Sequence, residues 1–344
     1  FNGNISSAVV TTEQIDTTTA GIANAPIPKP LGNAYKYDQL NRLKRASGFE
    51  NIDLPNNLWL ASGGIANKFE NSLTYDANGN ILTQNRRDEM GVEFDAMTYK
   101  YKKENAGAGN TVQNRLYHVN DGIASAAYAG SEANGDIEDE GAFNATEATI
   151  NTANNYGYDG IGNLVSDKSE EIDEIQWTVY GKIKRIIRPA LSTKDNLEFD
   201  YDASGNRISK KVSDANNNWK YTTYYVRDAQ GNVMSIYDHK LIASSSTMSY
   251  KLIEQDIFGS SRLGLSLPDK EMIMPVTPLL ISHTLGKKQY ELDDWLGGSN
   301  AIITDRKIPV PDATTPTIIS YYLSDLNRSE SRYAYGMGIK SRAF

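Results

Sequence analysis

Apolar and polar residues alternate in short runs along most of the chain, and clusters of Asp, Gly and Asn interrupt the runs. Leu197, Phe199 and Tyr201 share one side of such a run; after a break, Ile208, Lys210 and Val212 alternate with Ser209 and Lys211. A period of two marks a strand whose faces differ, and a Gly-bearing break of a few residues between two such runs marks a hairpin. The faces are mixed rather than purely apolar. No helical heptad pattern occurs, so little helix is expected and the predicted fold class is all-β.

The breaks repeat. Tyr37-Asp38-Gln39-Leu40-Asn41-Arg42, Tyr75-Asp76-Ala77-Asn78-Gly79-Asn80, Tyr158-Asp159-Gly160-Ile161-Gly162-Asn163, Tyr201-Asp202-Ala203-Ser204-Gly205-Asn206 and Arg227-Asp228-Ala229-Gln230-Gly231-Asn232 follow one pattern, Tyr-Asp-x-x-Gly-Asn leading into an apolar strand. Shorter echoes stand at Val179-Tyr180-Gly181-Lys182, Phe258-Gly259 and Gly297-Gly298. Gly162, Gly181, Gly205, Gly231 and Gly259 are 19, 24, 26 and 28 residues apart, the length of one two-stranded unit with its connections. The Asp carboxylate is suited to accept N–H bonds from two or three residues on, and Gly to take the positive φ of a hairpin between right-twisted strands. Asn after Gly tolerates the same backbone region. Isolated hairpins are marginal in water, so such units are expected to pair edge to edge into one continuous, curved sheet, a partial hollow shell.

Three regions follow: an N-terminal strand and extended connector at 1–32, a repeat sheet at 33–250, and a closing region at 251–344. Within the sheet the period fails between Gly79 and Gly162, and 102–155 reads as a loop-rich insertion with Asn114-Arg115-Leu116 a worn strand fragment. Residues 11–30 and 308–317, rich in Thr, Ala and Pro, read as extended connectors. The chain starts at Phe1 without an initiator Met or signal pattern, as an internal or processed piece would.

Composition narrows the function. Thirty-five basic against 43 acidic residues give a net charge of −8, with the basic residues scattered, so nucleic-acid binding is not expected. No apolar run reaches the 18 or so residues of a membrane span. Cysteine is absent, which removes disulfides, thiolate metal sites and thiol nucleophiles together. Tyr at 21 and Gly at 27 are the residues of hairpin sheets.

Candidate chemistry is sparse. Asp136, Glu138, Glu140, Asn144 and Glu147, with Gly141 between them, have the spacing of a calcium loop, but two Glu replace shorter donors and no helices flank it, so a solvated acidic loop is the plainer reading. His118, His239 and His283 lie too far apart for a ligand pair. Asp293 and Asp294 are adjacent and would face opposite sides of a strand. No hydrolase elbow or phosphate loop occurs. No cofactor is expected, nor a pocket with converging titratable groups. Tyr and Trp faces could stack sugars, which keeps a surface adhesin or carbohydrate-binding module as the alternative. A hydrolase would need carboxylates from distant repeats.

The Tyr-Asp-x-x-Gly-Asn array resembles the YD-repeat, or Rhs, family of large secreted bacterial proteins over about residues 33–306. Tyr290-Glu291-Leu292-Asp293-Asp294-Trp295-Leu296-Gly297 is similar to that family's Tyr-x-x-Asp-His-Leu-Gly element, with Trp295 where His is usual, and Thr304-Asp305-Arg306 to the Asp that follows it. Tyr333-Ala334-Tyr335-Gly336-Met337 resembles its aromatic-Gly motif. Nothing in 338–344 matches the family's self-cleaving aspartate segment, so no catalytic residue carries over. The resemblance implies a spiralling sheet enclosing a variable C-terminal cargo, often a toxin used against competing cells. Phe258-Gly259-Ser260-Ser261-Arg262-Leu263-Gly264 is most similar to Rhs proteins of Bacteroidota, which implies a secreted or cell-surface protein and export through the type IX machinery. At about 16 Å² per strand residue, a chain of this length covers roughly half the wall around a cargo of about 100 residues.

Overall fold

The computed structural model describes residues 4–10, 31–49, 52–53, 56, 58–59, 68–104, 111–123, 155–242, 247–273, 283–293, 299–333 and 337–343. No helix occurs among them, and the fold is all-β. The chain divides into two compact units, one of residues 1–154, 292–303 and 307–344, the other of 155–291 and 304–306.

In the first unit the strands are β1 (Ser7–Val10), β2 (Leu31–Tyr37), β3 (Leu43–Phe49), β4 (Ile52–Asp53), β5 (Leu58–Trp59), β6 (Asn71–Tyr75), β7 (Ile81–Arg87), β8 (Glu93–Glu104) and β9 (Thr111–Asp121). Seven of them pair antiparallel in the order β1-β2-β3-β6-β7-β8-β9, and β4 pairs β5 alone. The 102–155 insertion is corrected at its start. Residues 111–121 form β9, which pairs with β8 from Met97↔Asp121 to Glu104↔Thr111, because Val119 and His118 are buried there and anchor the strand. Residues 124–154, with the calcium-loop candidates Asp136, Glu138, Glu140, Asn144 and Glu147, lie outside the described residues.

The second unit holds β10 (Tyr156–Tyr158), β11 (Leu164–Asp167), β12 (Glu174–Trp177), β13 (Ile183–Ile187), β14 (Asn196–Tyr201), β15 (Arg207–Ser213), β16 (Trp219–Arg227), β17 (Val233–Leu241), β18 (Met248–Phe258), β19 (Arg262–Ser266), β20 (Lys270–Glu271) and most of β21 (Lys288–Asp293). From β12 to β19 neighbours in sequence are neighbours in the sheet; β21 follows β19, β20 pairs β18, and β10 and β11 form a separate pair. The last strands are β22 (Ser299–Pro311), β23 (Ile319–Arg332) and β24 (Gly338–Ala343), paired antiparallel in sequence. Residues 308–311, read as connector, belong to β22: Val310, 1% exposed between Pro309 and Pro311, anchors the strand. Among the described residues the strands are thus spread over several antiparallel sheets, none of them closed.

The two units bury apolar groups differently. Leu31, Phe69, Phe94, Tyr333 and Ile339 form a hydrophobic cluster in the first, with Phe94 fully buried. In the second, the described buried apolar side chains are Ile175, Phe199, Val212 and Leu252, while Ser209, Ser213, Thr222, Thr223, Ser235 and Ser249 are buried as well. Long side chains left half-exposed over sheltered short polar ones are what a sheet without a thick apolar layer presents. Ile208 departs from the expected alternation. It is 40% exposed while Ser209 is buried, its hydroxyl donating to Asp200 Oδ2 at 2.7 Å.

Candidate functional site

The repeated turns share one set of hydrogen bonds. In the β14–β15 turn the Asp202 N–H donates to the Asn206 carbonyl (2.9 Å) and the Gly205 N–H to the Asp202 carbonyl (3.0 Å). Asp202 Oδ1 accepts from the N–H groups of Ser204 and Asn206 at 2.9 and 2.8 Å. Gly205 sits at φ +82°, and the register shifts by one residue between Asp200 and Tyr201. This is a three-residue hairpin loop closed by a bulge with a left-handed residue.

The same bonds recur at Asp38, Asp76, Asp159 and Asp228. Three further turns share them. Asp88-Glu89-Met90-Gly91-Val92 lacks both Tyr and Asn, Asp214-Ala215-Asn216-Asn217-Asn218 puts Asn217 at φ +65° in place of Gly, and at Thr178 the hydroxyl replaces the carboxylate, accepting from Lys182 N–H at 3.1 Å. The left-handed residue is Gly79, Gly91, Gly162, Gly181, Gly205 or Gly231 in six turns, and Asn41 or Asn217 in two.

Asn after Gly is not a second left-handed residue. Its Nδ2 donates to the second Asp oxygen, from Asn80 (2.8 Å), Asn163 (2.9 Å), Asn206 (3.0 Å), Asn218 (2.9 Å) and Asn232 (2.9 Å), and Arg42 Nε does the same at 2.6 Å. The Asn206 amide, then its N–H, hold the Asp202 carboxyl below the usual carboxylate range, and Asp214 and Asp228 are lowered alike by Asn218 and Asn232. At Asp38, Asp76 and Asp159 burial pulls upward, but the bonds from the fourth residue on outweigh it.

The residue before the turn Asp has a separate task. Tyr75 OH donates to the Leu43 carbonyl (2.6 Å), Trp177 Nε1 to that of Leu164 (2.8 Å), Tyr201 OH to that of Ile183 (2.7 Å) and Arg227 Nε to that of Arg207 (2.9 Å). Each acceptor opens the strand that follows the previous turn on the same rim. Pairing between β13 and β14 is confined to Arg185↔Glu198 and Ile186↔Leu197, so the hairpins splay toward the rim and leave Ile183 beyond the ladder. A buried or half-buried carbonyl needs a donor, and the tyrosine supplies it. Tyr37 and Tyr158 occupy the same place before their turns, at the ends of β2 and β10.

Beside this rim in the second unit lies an open recess of about 1220 Å³, lined by the turns at Gly205, Gly231 and Gly259 and by Tyr201, Tyr225, Met234, Ile236, Phe258, Glu254, Asp256 and Arg262. This corrects the expectation of no pocket with converging titratable groups. Glu254 and Asp256 are two apart on β18 and so share a face, and Arg262 meets Asp256 at 2.9 Å. On the sheet, Trp219, His239, Tyr250, Tyr237 and Tyr224 form a run of ring contacts, stacked only between Tyr237 and Tyr250 (8°) and otherwise tilted by 54° to 77°. Burial, then Tyr237 and Tyr224, raise the Tyr250 hydroxyl.

His283 Nε2 bonds Asp305 Oδ2 at 2.5 Å, and the Gly286 N–H donates to Asp305 Oδ1 at 2.7 Å. Burial raises Asp305, but these two donors hold it below the usual range. Trp295 lies outside the described residues. Among the described residues no group of three or more His, Asp or Glu is placed to hold a metal ion, and no helix is long and apolar enough to cross a membrane.

No family model matches the chain. Over 81 residues it is 35% identical to "Salivary gland surface protein 1" of Aedes aegypti, a stretch that is 23% of this chain and 2% of that protein. Among solved structures it is similar to TcdB2-TccC3-TEV at 11% identity and a TM-score of 0.30, covering 95% of this chain and 19% of the other. It is also similar to a porin-like protein from Bacteroides uniformis at 8% identity and a TM-score of 0.19, covering 87% and 89%. This chain therefore spans a small part of the first two, and scores this low carry no functional weight.

Proposed function

We propose that this chain is a non-enzymatic wall segment of a secreted Rhs or YD-repeat protein, whose curved sheet encloses or carries a C-terminal cargo segment, often a toxin, for competition between bacteria. The observation that carries this reading is the rim of the second unit, where successive hairpins are locked by a turn Asp or Thr and three of them are tied to the previous one by a tyrosine, tryptophan or arginine. Such ties serve a sheet that must hold its form with few buried apolar side chains. Arg262 pairs with the carboxylates in the recess, which suits a structural role for them. Export by the type IX route and a place at the cell surface belong to the same proposal.

Limited proteolysis of the intact gene product, read by mass spectrometry, tests it. A segment C-terminal to this chain is expected to resist cleavage until the wall is opened by denaturant. Cleavage of that segment at the rate of a free peptide would overturn the reading. A selective hit on a glycan array would favour the adhesin instead.

A further inference from the structure

One cluster in the second unit is not explained by the turn array. Arg262 on β19 faces three carboxylates: Asp256 and Glu254 of β18, at 2.9 and 3.9 Å, and Glu291 of β21, at 3.0 Å. Three acids share one cation at the place where the β18–β19 hairpin joins the next strand, whose pairing with β19 spans only Gly264↔Tyr290 to Ser266↔Lys288. The other charged groups around the recess are Arg227, Arg207, Asp228 and Lys182. Arg227 donates to the Arg207 and Gly231 carbonyls, Arg207 stacks over Phe199, Asp228 is held by its own turn, and Lys182 lies against Gly205. β17 brings Val233, Met234 and Ile236, which do not ionise. On the other side of β21, Asp305 is bound to His283 and Gly286, and Arg306 lies over Gly286.

We propose that this cluster is a proton-operated joint, in which uptake of one proton by the Glu254 carboxyl fastens the β18–β19 hairpin to β21 and its loss loosens the junction. With all three acids ionised the four groups carry two net negative charges in a half-buried place. One proton removes half of that excess and lets Glu254 donate to a neighbouring carboxylate. Burial, then the charge of Asp256, push Glu254 above the usual glutamate range. A raised folded value means that the stabilisation is full below the unfolded value and fades as pH climbs through the folded one.

Hydrogen exchange of the whole chain between about pH 5 and about pH 7.5, corrected for intrinsic rates, reads the joint in peptides covering 252–266 and 286–293. Protection there is expected to be several-fold greater at the lower pH. Glu254→Gln, with native circular dichroism, should hold the protected level at both pH values, and Asp256→Asn should move the transition to lower pH. Glu198→Gln, whose partner is Lys211, should leave it in place. A wild-type chain without pH dependence in these peptides, or a Glu254→Gln chain that keeps it, would overturn the proposal.

Discussion

The Tyr201 hydroxyl donates to the Ile183 carbonyl at 2.7 Å, joining the turn end of one hairpin to the turn end of the one before it. Tyr75 and Leu43 stand in the same relation in the first unit. The tyrosine that opens these two repeats is thus neither a core residue nor a free stacking face. It completes the hydrogen bonding of strands that have parted, and couples turns that would otherwise fray singly.

Tyr201→Phe keeps the ring and removes the donor. A loss of about 1 kcal/mol is expected, measured by urea denaturation, with faster amide exchange at 182–184 and 201–206. Unchanged stability and exchange would mean that water serves the carbonyl equally well.

Gly205 is required by its backbone rather than by space, since the nearest atom to an added Cβ is Lys182 Cε at 3.5 Å. Gly205→Ala is expected to cost about 1–2 kcal/mol for the left-handed conformation. Gly160, with open space around it and no positive φ, should accept Ala at little cost. Equal effects at both sites would remove the special role of the third residue after Asp.

The turn aspartates set the acid limit of the fold. Asp38, Asp76, Asp159, Asp202, Asp214 and Asp228 all titrate below their ordinary value of 3.8. Their contribution is present above that value and is lost as pH falls through the lowered one. Thermal melts should therefore fall steeply below about pH 4. Asp202→Asn, a few degrees less stable at neutral pH, should show a shallower acid slope; a slope identical to wild type would contradict this.

Phe94 is fully buried against Tyr333, whose hydroxyl reaches the Arg87 carbonyl at 3.0 Å. Phe94→Ala should cost about 3–5 kcal/mol, whereas Phe258→Ala, at a site 37% exposed, should cost about 1–2 kcal/mol. Chemical denaturation distinguishes the two.

The strands and five turns are legible in the sequence because the Asp, the Gly and the alternation around them are local. Asp88 and Asp214 escape a search for the full motif, since one turn keeps only Asp and Gly and the other carries Asn217 at the left-handed position where most repeats have glycine. An Asp followed three residues later by Gly or Asn between alternating runs would have found both. The tyrosine ties are less visible, because they depend on where the ladder between hairpins stops. Glu254 and Asp256 are visibly on one face, but Arg262 and Glu291 join them only through strand register. Tyr333 and Arg87, 246 residues apart, meet through long-range packing that no local pattern encodes.

Cryo-electron microscopy of the intact gene product tests the central claim most directly. A wall segment predicts density for a further stretch of polypeptide held against the recess-bearing face of the second unit. A solid apolar domain packed on that face, or a face open to solvent with the downstream chain outside, would contradict it.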